Sequence, residues 1–82
     1  MKIVWDEPKR LANLDEHGLD FADLTVEFFE GATIYSAKGR RSIAVGRIEE
    51  TLVIAVVFFP LGSEAVSVIS MRPASPKERN LR

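Results

Sequence analysis

The chain has 82 residues, 46% of them hydrophobic and 28% charged, which predicts one globular domain spanning residues 1–82 and excludes a disordered chain. It has no cysteine, which excludes a disulfide framework or a cysteine-ligated metal. The longest apolar run, residues 52–61, falls short of the ~20 residues that cross a bilayer. No apolar leader opens the chain, so the expectation is a cytoplasmic protein with no membrane partner.

The net charge of −1 hides an asymmetry. Residues 1–35 carry three basic against eight acidic side chains, a net of −5; residues 36–82 carry eight against four, a net of +4. Two partner surfaces are expected, and the second attracts phosphate.

In chain order, residues 2–5 form a short β-prone start. Asp6-Glu7-Pro8 predicts a helix N-terminus, with the Asp6 side chain accepting from free backbone N–H groups and Pro8 in the first turn. Leu11 and Leu14 form its apolar stripe, and Gly18 stops it after His17. A second helix is predicted from Asp20, with Asp23 completing a capping-box variant and Phe21, Leu24 and Phe28 as the buried face; Gly31 ends it. From Thr33 the period becomes strand-like, over residues 33–37, 42–48, 51–59 and 65–71, with turn residues between. Residues 53–59 are apolar on both faces and predict a central strand. Residues 75–81 predict a short basic helix with Ser75 as N-cap, Pro76 at N1 and Glu78 at N3. The expected fold class is α+β: two N-terminal helices, a four-stranded antiparallel meander plus a short N-terminal strand, and a short C-terminal helix.

The sequence contains no P-loop, dinucleotide fingerprint, HExxH or Ser-His-Asp arrangement. With one histidine and no cysteine, neither a metal nor a cofactor is expected. Arginines, lysines and carboxylates remain, and they suit cleavage of an RNA phosphodiester by its own 2′-hydroxyl. That reaction needs cations on the phosphate and a group to move a proton. Histidine titrates near neutrality, so His17 is the proton-transfer candidate; against this stands its ordinary role at a helix C-terminus, which comes first on the residues alone. Arg41, Ile43, Val45 and Arg47 share a strand face by parity, either as phosphate ligands or as charges guarding a sheet edge. Arg72, Lys77, Arg79 and Arg82 cluster near the end, with Lys77 and Arg82 read as solubilising. Trp5 and the phenylalanines read as core, while Tyr35 fits either core or surface.

Three stretches carry a resemblance. The first is Trp5-Asp6-Glu7-x-Lys9-x-x-x-Asn13-x-x-x-His17-Gly18-x-x-Phe21. The second is Arg41-x-x-x-x-Gly46 with the apolar residues 53–58. The third is Pro60-Leu61-Gly62-Ser63-Glu64-Ala65-Val66 with Val68-Ile69-Ser70-Met71-Arg72-x-Ala74-x-x-x-Glu78-Arg79. In this order, over nearly the whole chain, they resemble the BrnT toxins. The resemblance implies a RelE-like fold and a small ribonuclease toxin of a type II toxin–antitoxin module. It implies an RNA substrate and a BrnA-type ribbon-helix-helix antitoxin, with DNA contacted only through that partner.

Carried over by motif, Lys9, His17, Arg41, Arg72, Glu78 and Arg79 become the catalytic candidates. Arg72 and Arg79 would hold phosphate, Arg41 would assist, and Glu78 or His17 would move protons. Arg40, Ser67 and Leu61 depart from the family pattern; having fewer sheet cations implies a weakened endoribonuclease. The alternative is a non-catalytic module that scaffolds a DNA-binding partner for promoter autoregulation.

Overall fold

The computed structural model describes residues 1–80. The chain opens as β1 (Lys2–Trp5) and turns into α1 (Glu7–His17), with Pro8 in the first turn. Asp6 is the N-cap residue, but its side chain caps nothing; its backbone carbonyl accepts from Lys9 and Arg10 at 3.0 and 3.1 Å. Gly18 closes the helix as expected, in a left-handed conformation (φ 68°) that favours glycine, its N–H donating to the Leu14 carbonyl.

The buried side of α1 differs from the expected Leu11–Leu14 stripe. Leu11 is 53% and Leu14 37% exposed, while Asn13 is buried. The reason lies in the sheet. β1 pairs with β5 (Ala65–Pro73) only as far as Trp5 opposite Val68, so the β5 edge beyond it needs another partner. Asn13 Oδ1 accepts from the Met71 N–H at 3.0 Å, and Asn13 Nδ2 donates to the Leu19 carbonyl at 3.1 Å. An orphaned strand N–H costs about 1–3 kcal/mol when buried, enough to turn the asparagine inward.

The second predicted helix is also corrected. Asp20 begins a 3₁₀ turn, Phe21–Asp23, by accepting from the Ala22 N–H at 2.9 Å; Asp23 forms no capping box. A separate α2 (Val26–Gly31) starts at Thr25, whose hydroxyl accepts from the Phe28 N–H. Thr25 is extended, and Leu24 folds back onto the Phe21 carbonyl, so the helix cannot run through. Phe21, Leu24 and Phe28 are nevertheless all buried, because both turns face the same side of the sheet.

That sheet is built from β1, β5 and three further strands: β2 (Thr33–Ser36), β3 (Ser42–Glu49) and β4 (Leu52–Leu61). The spatial order is β1-β5-β4-β3-β2. β2 to β5 form the expected antiparallel meander, but β1 joins it parallel to β5, making a five-stranded mixed sheet. β4 is central, as its apolar character requires. Ile54, Val56 and Phe58 face the helices beside Ala44, Val68 and Met71. Each large apolar side chain buried there contributes about 1.5–3 kcal/mol. Gly46 lets α2 approach: a Cβ on it would sit 3.0 Å from a Phe28 ring carbon and 3.2 Å from the Ala32 Cβ. The chain ends in α3 (Pro76–Arg79), with the predicted Ser75–Glu78 capping box formed. The rest of the expected helix, at Leu81, and the cation Arg82 lie outside the described residues. Among the described residues, no helix is long and apolar enough to cross a membrane.

Candidate functional site

Side chains alternate along a strand, so the residues between those of the helix-packed core face the other side of the sheet. Cross-strand pairs place Tyr35, Ile43 and Val57 in one row, Val45, Ala55 and Arg72 in the next, and Arg47 with Val53 beyond. Val45 and Ala55 are fully buried although they lie outside the core formed with Phe21, Leu24, Phe28 and Phe29. Arg72, opposite Ala55, and Tyr35, in the neighbouring row, both reach Glu78 of α3, which brings α3 to this side.

Glu78 is the centre of that cluster and is 9% exposed. Arg72 grips it bidentately, Nη1 donating to Oε1 at 2.6 Å and Nη2 to Oε2 at 2.9 Å. The Tyr35 hydroxyl donates to Oε2 at 2.9 Å, and the Ser75 N–H to Oε1 at 2.9 Å. The Arg72 guanidinium, with help from Ser75 and Tyr35, holds the Glu78 carboxyl down at about 2 against the opposing effect of burial. Burial, then the neighbouring carboxylate, raises Tyr35, so its hydroxyl keeps its proton and donates. Glu78 in turn stabilises the charged form of Arg72. Arg72 spends two of its donors on this grip; its Nε–H and outer N–H bonds have no protein partner among the described residues.

Beside the cluster opens a groove of about 560 Å³, lined by Arg47, Thr51, Val53, Pro76, Arg79 and Asn80. Arg47 and Arg79 are exposed there, and Arg47 donates to the Glu50 carbonyl. Arg41 stands just before β3, its guanidinium 6.0 Å above the Phe59 ring. Phe59 is only half-buried and lies on this open face, unlike the other four phenylalanines. Reading all five as core was therefore wrong for Phe59, because parity in β4 turns it away from Phe58.

Of the six candidates, Arg72 and Glu78 are in direct contact, Arg79 neighbours them on α3, and Arg41 shares their side of the sheet. Lys9 and His17 are not in this cluster. Both belong to α1; the Lys9 side chain has no ion pair among the described residues, and His17 Nε2 lies 3.8 Å from Glu16 Oε2. Sequence reasoning left two neighbours off the candidate list. Arg47 was visible through its parity with Arg41. Tyr35 had no signal, because it reaches Glu78 from 43 residues away.

Residues 5–78 match the family described as ribonuclease toxin, BrnT, of type II toxin–antitoxin system. The chain belongs to the BrnT family. The crystal structure of the Brucella abortus ribonuclease toxin BrnT is 57% identical in sequence and superposes with a TM-score of 0.85, over 92% of this chain and 97% of that one. A comparison with curated proteins found no match. As a type II toxin family, BrnT implies an antitoxin partner. The mixed five-stranded sheet and the helices around it are thus a BrnT fold, and the Arg72–Glu78–Tyr35 cluster sits on the face opposite the core of Phe21, Leu24 and Phe28.

Proposed function

We propose that the chain is a metal-independent endoribonuclease toxin that takes RNA on the open sheet face and is neutralised by a BrnA-type ribbon-helix-helix antitoxin. The observation that carries this reading is the placing of Arg41, Arg47, Arg72 and Arg79 on or beside that face, with Arg72 pre-oriented by Glu78. Arginine suits phosphate because its planar fork matches two oxygens. In the reaction the 2′-oxygen bonds to phosphorus as the P–O5′ bond breaks, giving a cyclic phosphate and a 5′-hydroxyl. The free donors of Arg72 and the fork of Arg79 stabilise the charge that builds on the phosphoryl oxygens, a type of contribution worth about 3–4 kcal/mol per donor. Arg41 and Arg47 hold flanking phosphates, and Phe59 gives a base a surface to stack on.

Glu78, held at about 2 with both oxygens occupied, is a weak proton acceptor; it positions Arg72. The 2′-hydroxyl gives its proton to water and the leaving 5′-oxygen takes one from water, because His17 belongs to α1 and lies outside the Arg72–Glu78 cluster. Lys9 belongs to α1 as well and takes no part at the open face. Metal independence is supported by the donor set: no group of three or more His, Cys, Asp or Glu side chains converges among the described residues.

The bidentate Arg72–Glu78 pair also favours a second reading, in which it only clamps α3 to the sheet and the chain is a non-catalytic module for its partner. Mapping RNA ends after incubation with the purified chain in excess EDTA separates the two. Cyclic-phosphate ends, diminished about 10²–10³-fold in Arg79→Ala, support the nuclease. Intact RNA with EDTA and with added Mg²⁺ leaves the module; cleavage only with Mg²⁺ overturns the metal-independent mechanism.

A further inference from the structure

The outward side of α1 carries features that the nuclease reading does not use. At 3.6 residues per turn, Leu11 lies about 160° around the helix from the buried Asn13, and Leu14 flanks it one turn on. Both leucines are exposed, at 53% and 37%, on a helix whose inward anchor is polar. The flanking charge is acidic. Asp15 and Glu16 stand in the last turn, where the negative end of the helix dipole disfavours them. Asp15 forms no ion pair among the described residues, and Glu16 meets only His17, at 3.8 Å. Glu7, by contrast, is already neutralised by Arg10, which also binds Asp20.

We propose that this Leu11–Leu14–Asp15 face of α1 is the docking surface for the antitoxin, through a segment that pairs apolar side chains with lysine or arginine. The inference rests on the toxin–antitoxin reading. Charge complementarity selects the occupant: RNA is repelled from a half-chain with a net charge of −5, whereas a basic peptide is drawn to it and relieves the unfavourable dipole contact. A docked antitoxin would thus occupy the helical layer, leaving the open sheet face to be covered by its remaining length or shielded through its bulk.

The test measures the Kd of the full chain for the antitoxin encoded in the adjacent reading frame, using wild type, the Leu11→Ser/Leu14→Ser double variant and Asp15→Lys. The leucine variant should bind about 30-fold or more weakly. Asp15→Lys should mainly slow association and lessen its dependence on salt. Melting temperature and RNA cleavage by the free chain should stay at wild-type values in both, since neither site lies on the open face. Antitoxin binding within twofold of wild type in both variants overturns the docking face while leaving the toxin–antitoxin reading intact. A wild-type chain that does not bind the antitoxin at all overturns both.

Discussion

Glu78 shows how one side chain joins stability to function. Its carboxyl is held at about 2, against an ordinary value near 4.5, chiefly by the hydrogen bonds from Arg72. A depressed carboxyl stabilises the fold fully above its unfolded value, and that contribution is lost as pH falls from about 4.5 towards 2. Acid melting of the wild type should therefore steepen in this window, and Glu78→Gln should remove the Glu78 share of that dependence, leaving the share of Glu7 and Asp20, while lowering the melting temperature at pH 7. An identical acid profile in Glu78→Gln would show that the grip contributes nothing to the fold. Asn13 makes a parallel prediction without charge. Asn13→Leu removes the partners of the Met71 N–H and the Leu19 carbonyl and should destabilise by about 1–3 kcal/mol, a drop of several degrees in thermal melting. Unchanged melting would mean that water replaces the amide.

At the level of elements, α3 is a single turn that depends on its contacts to stay in place. Ser75→Ala should cost about 0.5–2 kcal/mol by opening the capping box, and should loosen Glu78 from Arg72. Arg72→Ala should lower both melting temperature and cleavage. Arg72→Lys should restore melting more than cleavage, because a point charge can pair with Glu78 but lacks a fork for phosphate. If cleavage per folded molecule is unchanged in Arg72→Ala, the residue is a clamp alone. The capping box was legible because all its parts lie within four residues. The central strand was legible because residues 53–59 are apolar on both faces. α1 was misread for a physical reason: hydrophobic periodicity assumes that the buried face is apolar, whereas Asn13 is buried to serve a strand edge that no local pattern reveals. The parallel pairing of β1 with β5 and the reach of Tyr35 to Glu78 join residues about 60 and 40 positions apart, and one sequence carries no signal for such pairs.

Across the whole molecule, charge and topology divide the labour. The acidic first half supplies β1, α1, α2 and most of β2, with Phe21, Leu24, Phe28 and Phe29 packed on one side of the sheet; the basic second half supplies β3, β4, β5 and α3, which place arginines on the other. A chain with a net charge of −1 can thus offer phosphate a positive face. The claim that matters most is that RNA is cleaved on this open face. It is tested most directly by single-turnover cleavage of a short RNA in excess EDTA, comparing wild type with Arg41→Ala/Arg79→Ala, two exposed positions outside the Glu78 grip. The expected result is a rate lowered by about 10²–10⁴-fold at an unchanged melting temperature, with antitoxin affinity retained. A cleavage rate equal to that of the wild type in this folded double variant would contradict the account and place the chemistry elsewhere.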